Sequence, residues 1–351
     1  MNARPLFPGL LRAAGIAFAL AACGCASAAA VGDALDRPAV TAAQPARSVL
    51  LDAALAGSRI VAVGERGIVA LSDDGARTWR QASVPTSVTL TVVRFADPRH
   101  GWAAGHGGVL LATDDGGEHW TRLLDGRRAA QIVLDSARAS GDARAVRDAE
   151  RLVADGPDKP WLDLMVRDAQ RLLVVGAYGL ALHSDDGGRT WSAWTPRLPN
   201  PKGLHLYAAR QHGATVLLAG EQGLAMLSHD DGRTFRRLET PYKGSWFTAD
   251  VASAQEIVLA GLRGTVLRSA DGGESWTPLA TPMPANITAL ARDGRGRLLA
   301  VSQAGFVLGR DGERLVPLHA QPLPPPNGLV VTPGGLLALT IHGALPVPEA
   351  P

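Results

Sequence analysis

The sequence predicts an all-β protein, a seven-bladed β-propeller made of four-stranded repeats. Three observations support this prediction: an eight-residue phrase recurs at intervals of about 40 residues, a Gly-x-x-Gly phrase precedes each copy, and short apolar runs flank both. The chain has 351 residues, of which 40 are glycine and 24 are proline. Glycine at this level without a collagen period is typical of many short strands joined by tight turns.

Five copies of the recurring phrase align well, and a degenerate sixth surrounds Asp311. The five are Ser72–Trp79, Thr113–Trp120, Ser184–Trp191, Ser228–Phe235 and Ser269–Trp276. Each resembles the Asp-box of the bacterial-neuraminidase (BNR) repeat, in which an Asp carboxylate accepts backbone N–H groups across a turn and a glycine supplies positive φ. The phrase lacks the spacing of a calcium loop. We therefore interpret its aspartates as structural: Asp74, Asp115, Asp186, Asp230 and Asp271.

The second recurring phrase lies about ten residues before each box aspartate. Its copies are Gly64–Gly67, Gly105–Gly108, Gly176–Gly179, Gly220–Gly223 and Gly261–Gly264. The sixth copy, Ser302–Gly305, has lost its first glycine. Each repeat is thus predicted to run strand A, strand B, Gly-x-x-Gly hairpin, strand C, Asp-box turn and strand D, which is what a propeller blade needs.

The last part of the chain predicts an incomplete seventh repeat. Apolar runs at Asn327–Thr332 and Leu336–Ile341 flank a Pro-Gly-Gly turn. We expect the segment Ala39–Ala42 to supply the missing outer strand, so that the N- and C-terminal strands together close the last blade and leave no exposed edge. The propeller is predicted to occupy residues 39–351.

One interval between boxes, from Asp115 to Asp186, is much longer than the others. Its extra residues, 125–160, have apolar residues at helical spacing over Arg127–Ala139 and Asp142–Ala154. We therefore predict a small helical insertion between blades 2 and 3.

Consecutive turns of an up-and-down blade alternate between its two faces, because each antiparallel strand reverses direction. The Gly-x-x-Gly hairpins, the connections between blades and the insertion are thus expected on one face, opposite the Asp-boxes. Aromatic and arginine side chains often anchor protein partners. The candidate partner-binding residues on this face are Arg66, His106, Lys159, Trp161, Tyr178, His205, Glu221, Tyr242, Trp246 and Arg263.

The N-terminus predicts export. Residues 1–22 combine basic residues, a short apolar run and a Leu-Ala-Ala-Cys ending that resembles the lipobox of bacterial lipoproteins. Cys23 would then carry the lipid, with residues 23–38 as a linker, and Gly24 favours the outer membrane facing the periplasm. The alternative is ordinary cleavage after Ala28–Ala30, which would give a soluble periplasmic or secreted protein. Because the only other cysteine is Cys25, we expect no disulfide framework or thiol nucleophile.

Charge and motifs exclude several functions. Thirty-five Lys and Arg residues against 33 Asp and Glu residues leave no basic excess for nucleic acid. The sequence contains no Gly-x-Ser-x-Gly elbow, His-Glu-x-x-His site or phosphate-binding loop. We accordingly predict no catalytic residues, cofactor or metal, and a monomer.

Four further phrases carry a more specific resemblance: Gly156–Asp163, Val174–Gly179, Ala219–Gly223 and Pro241–Ser245. Together with the two repeated phrases they resemble the bacterial branch of the photosystem II stability/assembly-factor family. The resemblance implies a seven-bladed propeller that binds a membrane-protein client during assembly, in photosynthetic members through an arginine-rich patch. Arg66 and Arg263 are the arginines that could lie on that surface here. Non-photosynthetic relatives beside efflux-type transporters would suggest an envelope complex as partner.

The competing interpretation is a sialidase-like glycoside hydrolase or a glycan-binding protein, because Asp-boxes also occur in glycosidases. The available tyrosines are Tyr178, Tyr207 and Tyr242, and none has a glutamate placed by a recognisable motif. Trp161, Tyr178 and Trp246 are the aromatic residues that would favour glycan binding without hydrolysis.

Overall fold

The computed structural model describes Met1 and residues 33–348. The predicted signal segment 1–22 and the lipidation site Cys23 therefore lie outside the described residues, Met1 apart. Residues 33–348 form seven antiparallel sheets in which neighbouring strands are consecutive in the chain.

The first three sheets have four strands each. Sheet 1 contains β1 (Leu50–Ala56), β2 (Arg59–Gly64), β3 (Val69–Ser72) and β4 (Arg80–Gln81). Sheet 2 contains β5 (Leu90–Phe95), β6 (Gly101–Gly105), β7 (Leu110–Thr113) and β8 (Thr121–Leu124). Sheet 3 contains β9 (Trp161–Val166), β10 (Leu172–Gly176), β11 (Ala181–Ser184) and β12 (Ser192–Ala193).

The next three sheets repeat this order and the last has three strands. Sheet 4 contains β13 (Leu206–His212), β14 (Thr215–Gly220), β15 (Ala225–Ser228) and β16 (Arg236–Arg237). Sheet 5 contains β17 (Trp246–Val251), β18 (Ile257–Gly261), β19 (Val266–Ser269) and β20 (Thr277–Pro278). Sheet 6 contains β21 (Ile287–Arg292), β22 (Leu298–Ser302), β23 (Phe306–Asp311) and β24 (Arg314–Pro317). Sheet 7 contains β25 (Pro326–Thr332), β26 (Gly335–Thr340) and β27 (Gly343–Pro346).

The sheets form a closed ring. The first strand of each sheet lies beside the first strand of the next, and β25 lies beside β1. Each interface between sheets is filled by a separate cluster of buried apolar residues. The prediction of an all-β ring of antiparallel sheets is thereby confirmed.

The prediction that Ala39–Ala42 forms the outer strand of sheet 7 is wrong. Residues 39–42 instead lie on sheet 1, where the N–H of Ala39 donates to the Val84 carbonyl at 3.0 Å and the N–H of Val40 to the Arg66 carbonyl at 3.2 Å. The Gln81 amide oxygen accepts the N–H of Ala42 at 2.8 Å. These bonds use the backbone groups that a fourth strand in sheet 7 would have needed.

The predicted linker also ends earlier than residue 38. Leu35 is buried in the cluster between sheets 1 and 2, and its carbonyl accepts Arg122 Nη1 at 2.7 Å. The carboxylate of Asp33 pairs with Arg127 at 2.8 Å. Residues 33–38 are therefore part of the folded unit.

The ring closes without a shared strand. Asn327 Nδ2 donates to the Leu50 carbonyl at 2.9 Å, and Leu50, Ile60, Val330 and Leu339 belong to one buried cluster between sheets 7 and 1. Residues Pro45–Arg47 also pack on β27, where a Cβ at Gly343 would overlap the Ala46 carbonyl. Apolar burial, this hydrogen bond and this backbone contact join the two ends of the chain.

The helical insertion forms as two antiparallel helices, α1 (Gly126–Ser140) and α2 (Ala143–Asp155). The Asp125 carboxylate caps α1 by accepting the N–H of Arg128, and Asp142 caps α2 in the same way. Gly141, with φ of 70°, ends α1 in the left-handed conformation. No helix among the described residues is both long and apolar enough to cross a membrane.

The first Asp-box shows how each box turn is held. The Asp74 carboxylate accepts the Ser72 hydroxyl at 3.0 Å, the N–H of Arg77 at 3.1 Å and the N–H of Thr78 at 2.9 Å. It also accepts the Thr78 hydroxyl at 2.6 Å. The carboxylate is thus surrounded by donors from its own turn.

The other four boxes repeat these bonds. In each, the leading hydroxyl donates to the aspartate and the residue before the aromatic donates a second side-chain bond: Asp115 with Thr113 and His119, Asp186 with Ser184 and Thr190, Asp230 with Ser228 and Thr234, and Asp271 with Ser269 and Ser275. The degenerate sixth copy differs, because β23 and β24 are joined directly by a tight turn at Gly312.

The first glycine of each Gly-x-x-Gly hairpin lies against the strand that begins its sheet. A Cβ at Gly220 would lie less than 3.0 Å from the His205 carbonyl oxygen, and that oxygen accepts the N–H of Glu221 at 3.1 Å. Strand pairing is irregular at this point, between Leu206 and Ala208. The equivalent pairs are Gly64 with Val49, Gly105 with Thr89, Gly176 with Pro160, and Gly261 with Ser245.

Replacing this glycine tests the close approach. We expect Gly220→Ala to lower the free energy of unfolding by about 3 kcal/mol, because the new methyl group must displace backbone. The matched control is Gly294→Ala, where a Cβ would meet nothing within 4 Å. Urea unfolding of both variants is the measurement, and equal stabilities would contradict the role given to Gly220.

The box aspartates predict how stability depends on pH. Hydrogen bonds, the hydroxyl donor foremost, lower the pKa of Asp74, Asp186 and Asp271 from 3.8 to about 2. A carboxyl group whose pKa is lower in the folded state stabilises that state above the unfolded pKa, and this contribution is lost as pH falls from about 4 to 2. The melting temperature should therefore fall across this range.

The triple variant with asparagine at these three positions should have a lower melting temperature near neutral pH. Its melting temperature should also fall less than that of the wild type between about pH 4 and 2. Asp148→Asn on the exposed face of α2 is the control, since Asp148 has only ion pairs of 3.8 and 4.0 Å. A triple variant with the same pH profile as this control would contradict the prediction.

Candidate functional site

The Gly-x-x-Gly hairpins and the connections between sheets form one surface, here called the tip face. The Gly223 N–H donates to Gly244 in the next connection at 2.7 Å. A Cβ at Gly108 would overlap Gly126 at the start of α1, which places the insertion on the same surface.

The third residue of each hairpin has left-handed backbone geometry. These residues are Arg66, Gly107, Tyr178, Gln222 and Arg263, with φ between 52° and 64°. For a non-glycine residue this conformation costs about 1 kcal/mol, so the surrounding structure must impose it. The hairpins thereby present four side chains at fixed positions.

Tyr178 combines this strained backbone with high exposure, since it is 59% exposed. Its ring contacts His205 with centroids 5.0 Å apart, His205 contacts Tyr207 at 6.2 Å, and Tyr207 contacts Phe247 at 5.7 Å. All three contacts are edge-to-face, a favourable geometry for aromatic rings. These four residues are here called the aromatic row, and they connect sheets 3, 4 and 5.

The inner end of the aromatic row lies at the central channel of the ring. Tyr207 and Phe247 line a cavity of about 110 Å³ there, together with Asp52, Arg94 and Asp163. The row thus extends from an exposed hairpin to the axis of the ring.

Lys159 adds a positive charge to the outer end of the row. Its Nζ lies 5.3 Å from the centre of the Tyr178 ring, and it pairs with Asp158 at 2.5 Å and with Asp155 at 3.3 Å. The hydrogen bond to Asp158 is the main cause that raises the pKa of Lys159. The ammonium group therefore supports the tyrosine ring by a cation–π contact.

Glu221 holds the middle of the row. Its carboxylate accepts the N–H of His205 at 2.9 Å, and the His205 ring lies 3.9 Å away. Burial, and secondarily the Glu221 charge, raises the pKa of Tyr207 above its usual 10.0. Tyr207 is therefore a neutral hydrogen-bonding group at physiological pH.

Four of the predicted partner-binding residues are thus brought together: Lys159, Tyr178, His205 and Glu221. Three others, Arg66, His106 and Arg263, are exposed at the hairpins of sheets 1, 2 and 5. Their side chains form no ion pair with the described residues. These three residues lie on the tip face but do not belong to the aromatic row.

Trp161 and Trp246 are not surface residues, and their prediction as exposed binding residues is wrong. They are 1% and 0% exposed, because each begins the first strand of its sheet and packs into an interface between sheets. Tyr242 is half-buried: its ring packs on Trp246 at 4.8 Å and its hydroxyl donates to the Leu262 carbonyl at 3.0 Å. The glycan-binding interpretation thereby loses two of its three aromatic residues.

Sequence reasoning missed Phe247 and the position of Tyr207. Both follow directly on the buried residue that begins the first strand of a sheet, and the equivalent residues Leu51, Thr91 and Leu162 also line the channel. Aligning the repeats on these strand starts would have identified the position.

Ion pairs cross between the inner strands around the channel. Asp52 on β1 accepts the N–H of Val93 at 3.0 Å and binds the Arg94 guanidinium on β5. Asp163 on β9 makes the same two contacts, with Ala209 at 2.9 Å and with Arg210 on β13. These bonds join sheet 1 to sheet 2 and sheet 3 to sheet 4.

No group of three or more His, Cys, Asp and Glu side chains in the described part of the chain is arranged to hold a metal ion. The charged side chains near the channel are bound to one another, as above.

A closed ring of antiparallel sheets with a loop-built surface is the architecture of a β-propeller. The sequence pattern of the family described as "Photosynthesis system II assembly factor YCF48" matches residues 71–154 and 148–315, more than half of the chain. The chain belongs to this family, and the resemblance seen in its motifs is confirmed. Because the family is one of assembly factors, the prediction of a non-enzymatic protein is also confirmed.

Two curated relatives match parts of the chain. The "Photosystem II assembly protein Ycf48" of Synechococcus sp. (strain JA-3-3Ab) is 25% identical over 190 residues, which cover 48% of this chain and 52% of the relative. The "Photosystem II assembly lipoprotein Ycf48" of Synechococcus sp. (strain CC9902) is 28% identical over 115 residues, covering 32% and 26%. The matches thus span about half and about a quarter of these relatives.

Two solved structures share the fold. "YCF48 from Cyanidioschyzon merolae" aligns with a TM-score of 0.62 at 14% identity, covering 86% of this chain and 95% of that one. The "WD40 beta propeller domain of Doa1" aligns with a TM-score of 0.60 at 11% identity, covering 88% and 94%. At these identities the likeness supports the propeller fold alone.

The two buried tryptophans provide a matched test of their structural role. Trp161 Nε1 donates to the Gly108 carbonyl at 2.8 Å, whereas Trp246 Nε1 has no acceptor among the described residues. We expect Trp161→Phe to lower the free energy of unfolding by about 1 kcal/mol more than Trp246→Phe, because only the former loses a hydrogen bond. Urea unfolding measures both; a larger loss for Trp246→Phe would contradict this.

Proposed function

We propose that this protein is a non-enzymatic assembly scaffold that holds a segment of a membrane-protein partner on its tip face, with the aromatic row as the centre of binding. Membership of an assembly-factor family supports the class of function. The observation that carries the choice of surface is the strained, 59% exposed Tyr178 at the end of a continuous row of rings. Strained backbone is concentrated at functional sites.

The chemistry of the surface favours a partner segment with an apolar or aromatic side chain next to acidic groups. Rings held edge-to-face by their neighbours lose little conformational entropy when they bind, which makes tyrosine an effective anchor. The surrounding arginines Arg66 and Arg263 attract acidic groups and steer their approach.

The finer features of the proposal come from the sequence and from the names of relatives. We infer that the seven sheets are the blades of one seven-bladed ring, with the box aspartates as structural residues, and that the protein acts as a monomer. Cys23 carries a lipid that anchors the protein at the outer membrane in the periplasm, and the name "Photosystem II assembly lipoprotein" of one relative supports the lipid. The names of both relatives concern a membrane complex, and here the partner is a membrane or envelope complex such as a transporter system.

Photo-crosslinking from the tip face tests the proposal. A photo-reactive amino acid replaces Tyr178, Arg66 or Arg263 in the full-length protein, and crosslinking is carried out in the native envelope. Captured proteins are identified by mass spectrometry. We expect all three positions to capture the same membrane protein, with Tyr178 most efficient because it lies in the aromatic row.

The matched controls are Arg77 and Arg189, exposed residues of Asp-boxes on the opposite face. Capture of the membrane protein from these positions and not from the tips would overturn the choice of face. Adding Phe247→Ala to the Tyr178 crosslinker should reduce capture at least about fivefold, since hot-spot aromatics often contribute 1–2 kcal/mol or more. A fluorogenic sialoside assay should show no turnover, and turnover abolished by changing Tyr178 or Tyr242 would overturn the non-enzymatic assignment.

A further inference from the structure

The fourth Asp-box differs from the others at its last residue. Phe235 occupies the position that is tryptophan in the other four boxes. The neighbouring space in sheet 3 is filled by Trp194, whose ring lies 6.2 Å from Phe235 and so close to Gly232 that a Cβ there would overlap it. The interface between sheets 3 and 4 is thus packed differently on the Asp-box face.

A pocket of about 300 Å³ opens beside this altered box. Its lining comes from both sheets, including His183 and Trp194 of sheet 3 and Gln211 and Arg233 of sheet 4. Small-molecule sites start at about this volume. Most of the lining residues lie at the Asp-box ends of the two sheets, Arg197 comes from the connection after β12, and none of them belongs to the aromatic row.

The pocket has more positive than negative groups in its lining. Four arginines line it, against two aspartates: Arg167, Arg171, Arg197 and Arg233, against Asp185 and Asp231. Arg167 is neutralised by Asp231. Arg171 is held by both its Nε and Nη2 atoms on Asp168, at 2.8 and 2.5 Å.

Arg197 and Arg233 differ from these two. Neither has a carboxylate oxygen within 4.0 Å among the described residues. The Arg197 guanidinium lies 5.2 Å from the centre of the Trp194 ring, a cation–π contact that leaves its N–H groups available. Both guanidinium groups are exposed and line the same pocket.

His183 completes the wall beside Arg197. Its ring stacks on Trp194 with centroids 4.3 Å apart and an interplanar angle of 16°. Burial lowers the pKa of His183, Asp185 opposes this, and Arg197 and Arg171 lower it further. Burial thus favours the neutral form of the His183 ring, which lies between Asp185 and the two arginines.

We propose that the pocket between sheets 3 and 4 binds a small molecule that carries a carboxylate or phosphate group, with Arg197 and Arg233 as the residues that bind the anion. A guanidinium offers two parallel N–H donors to either oxyanion, and such charge-assisted bonds are the strong ones. The neutral His183 ring offers a further hydrogen-bonding group beside them.

Titration calorimetry on the full-length protein tests the site with two probes, inorganic phosphate and D-glucuronate, and with neutral D-glucose as reference. We expect at least one anionic probe to bind and glucose not to bind. Binding of phosphate alone identifies a phosphate-bearing ligand, and binding of glucuronate alone identifies a carboxylate-bearing one. Arg197→Gln and Arg233→Gln should each weaken binding at least about tenfold, since each removes a charged donor.

The control is Arg314→Gln, which removes an exposed arginine of sheet 6, outside the pocket. Because Arg197 and Arg233 are exposed, their variants should melt within about 2 °C of the wild type. The proposal is overturned if neither anion binds up to about 10 mM. It is also overturned if the variant that combines Arg197→Gln and Arg233→Gln binds the anion as tightly as Arg314→Gln does. The result is independent of the tip-face experiment, since no residue is shared between the two sites.

Discussion

The position of the exposed hairpin side chains depends on one contact, between the first hairpin glycine and the carbonyl just before the first strand of the same sheet. At sheet 4 the His205 carbonyl lies against Gly220 and accepts the N–H of Glu221. The bond orients the hairpin relative to the inner strand and to the connection from the preceding sheet. Because the next backbone turn is fixed in this way, the third hairpin residue is forced into the left-handed region. Tyr178 has the same conformation in the equivalent hairpin of sheet 3, where its side chain is exposed.

The ring imposes a second constraint, because the inner strands converge on one axis where little space is available. Polar side chains at that axis lose water and must find partners in neighbouring strands. The pairs Asp52–Arg94 and Asp163–Arg210 meet this need across two interfaces. Each aspartate also accepts a backbone N–H from the next sheet, so the same atoms align the strands. An ion pair of this kind specifies alignment more than it adds stability.

Much of the fold could be predicted because the repeats are encoded locally. Box and hairpin phrases occupy turns whose backbone geometry requires glycine and a short acceptor side chain, so five copies and their order could be recognised from the sequence alone. The two helices are capped locally by Asp125 and Asp142, and each predicted bound differs from the observed one by one residue. The outer strand of sheet 7 could not be predicted in this way, because its alternative is a long-range contact, between Ala42 and Gln81.

The functional surface was only partly predictable because burial depends on neighbouring sheets. Trp161 and Trp246 are of a residue type common at binding sites. Each begins a strand, and its side chain packs against the adjacent sheet. The residue that follows each of them, Leu162 or Phe247, falls at an irregularity in strand pairing and lines the channel. Phe247 therefore lies at the channel while Trp246 lies in the core. A tryptophan at the start of a repeat therefore indicates the interface between sheets, and the residue after it indicates the central channel.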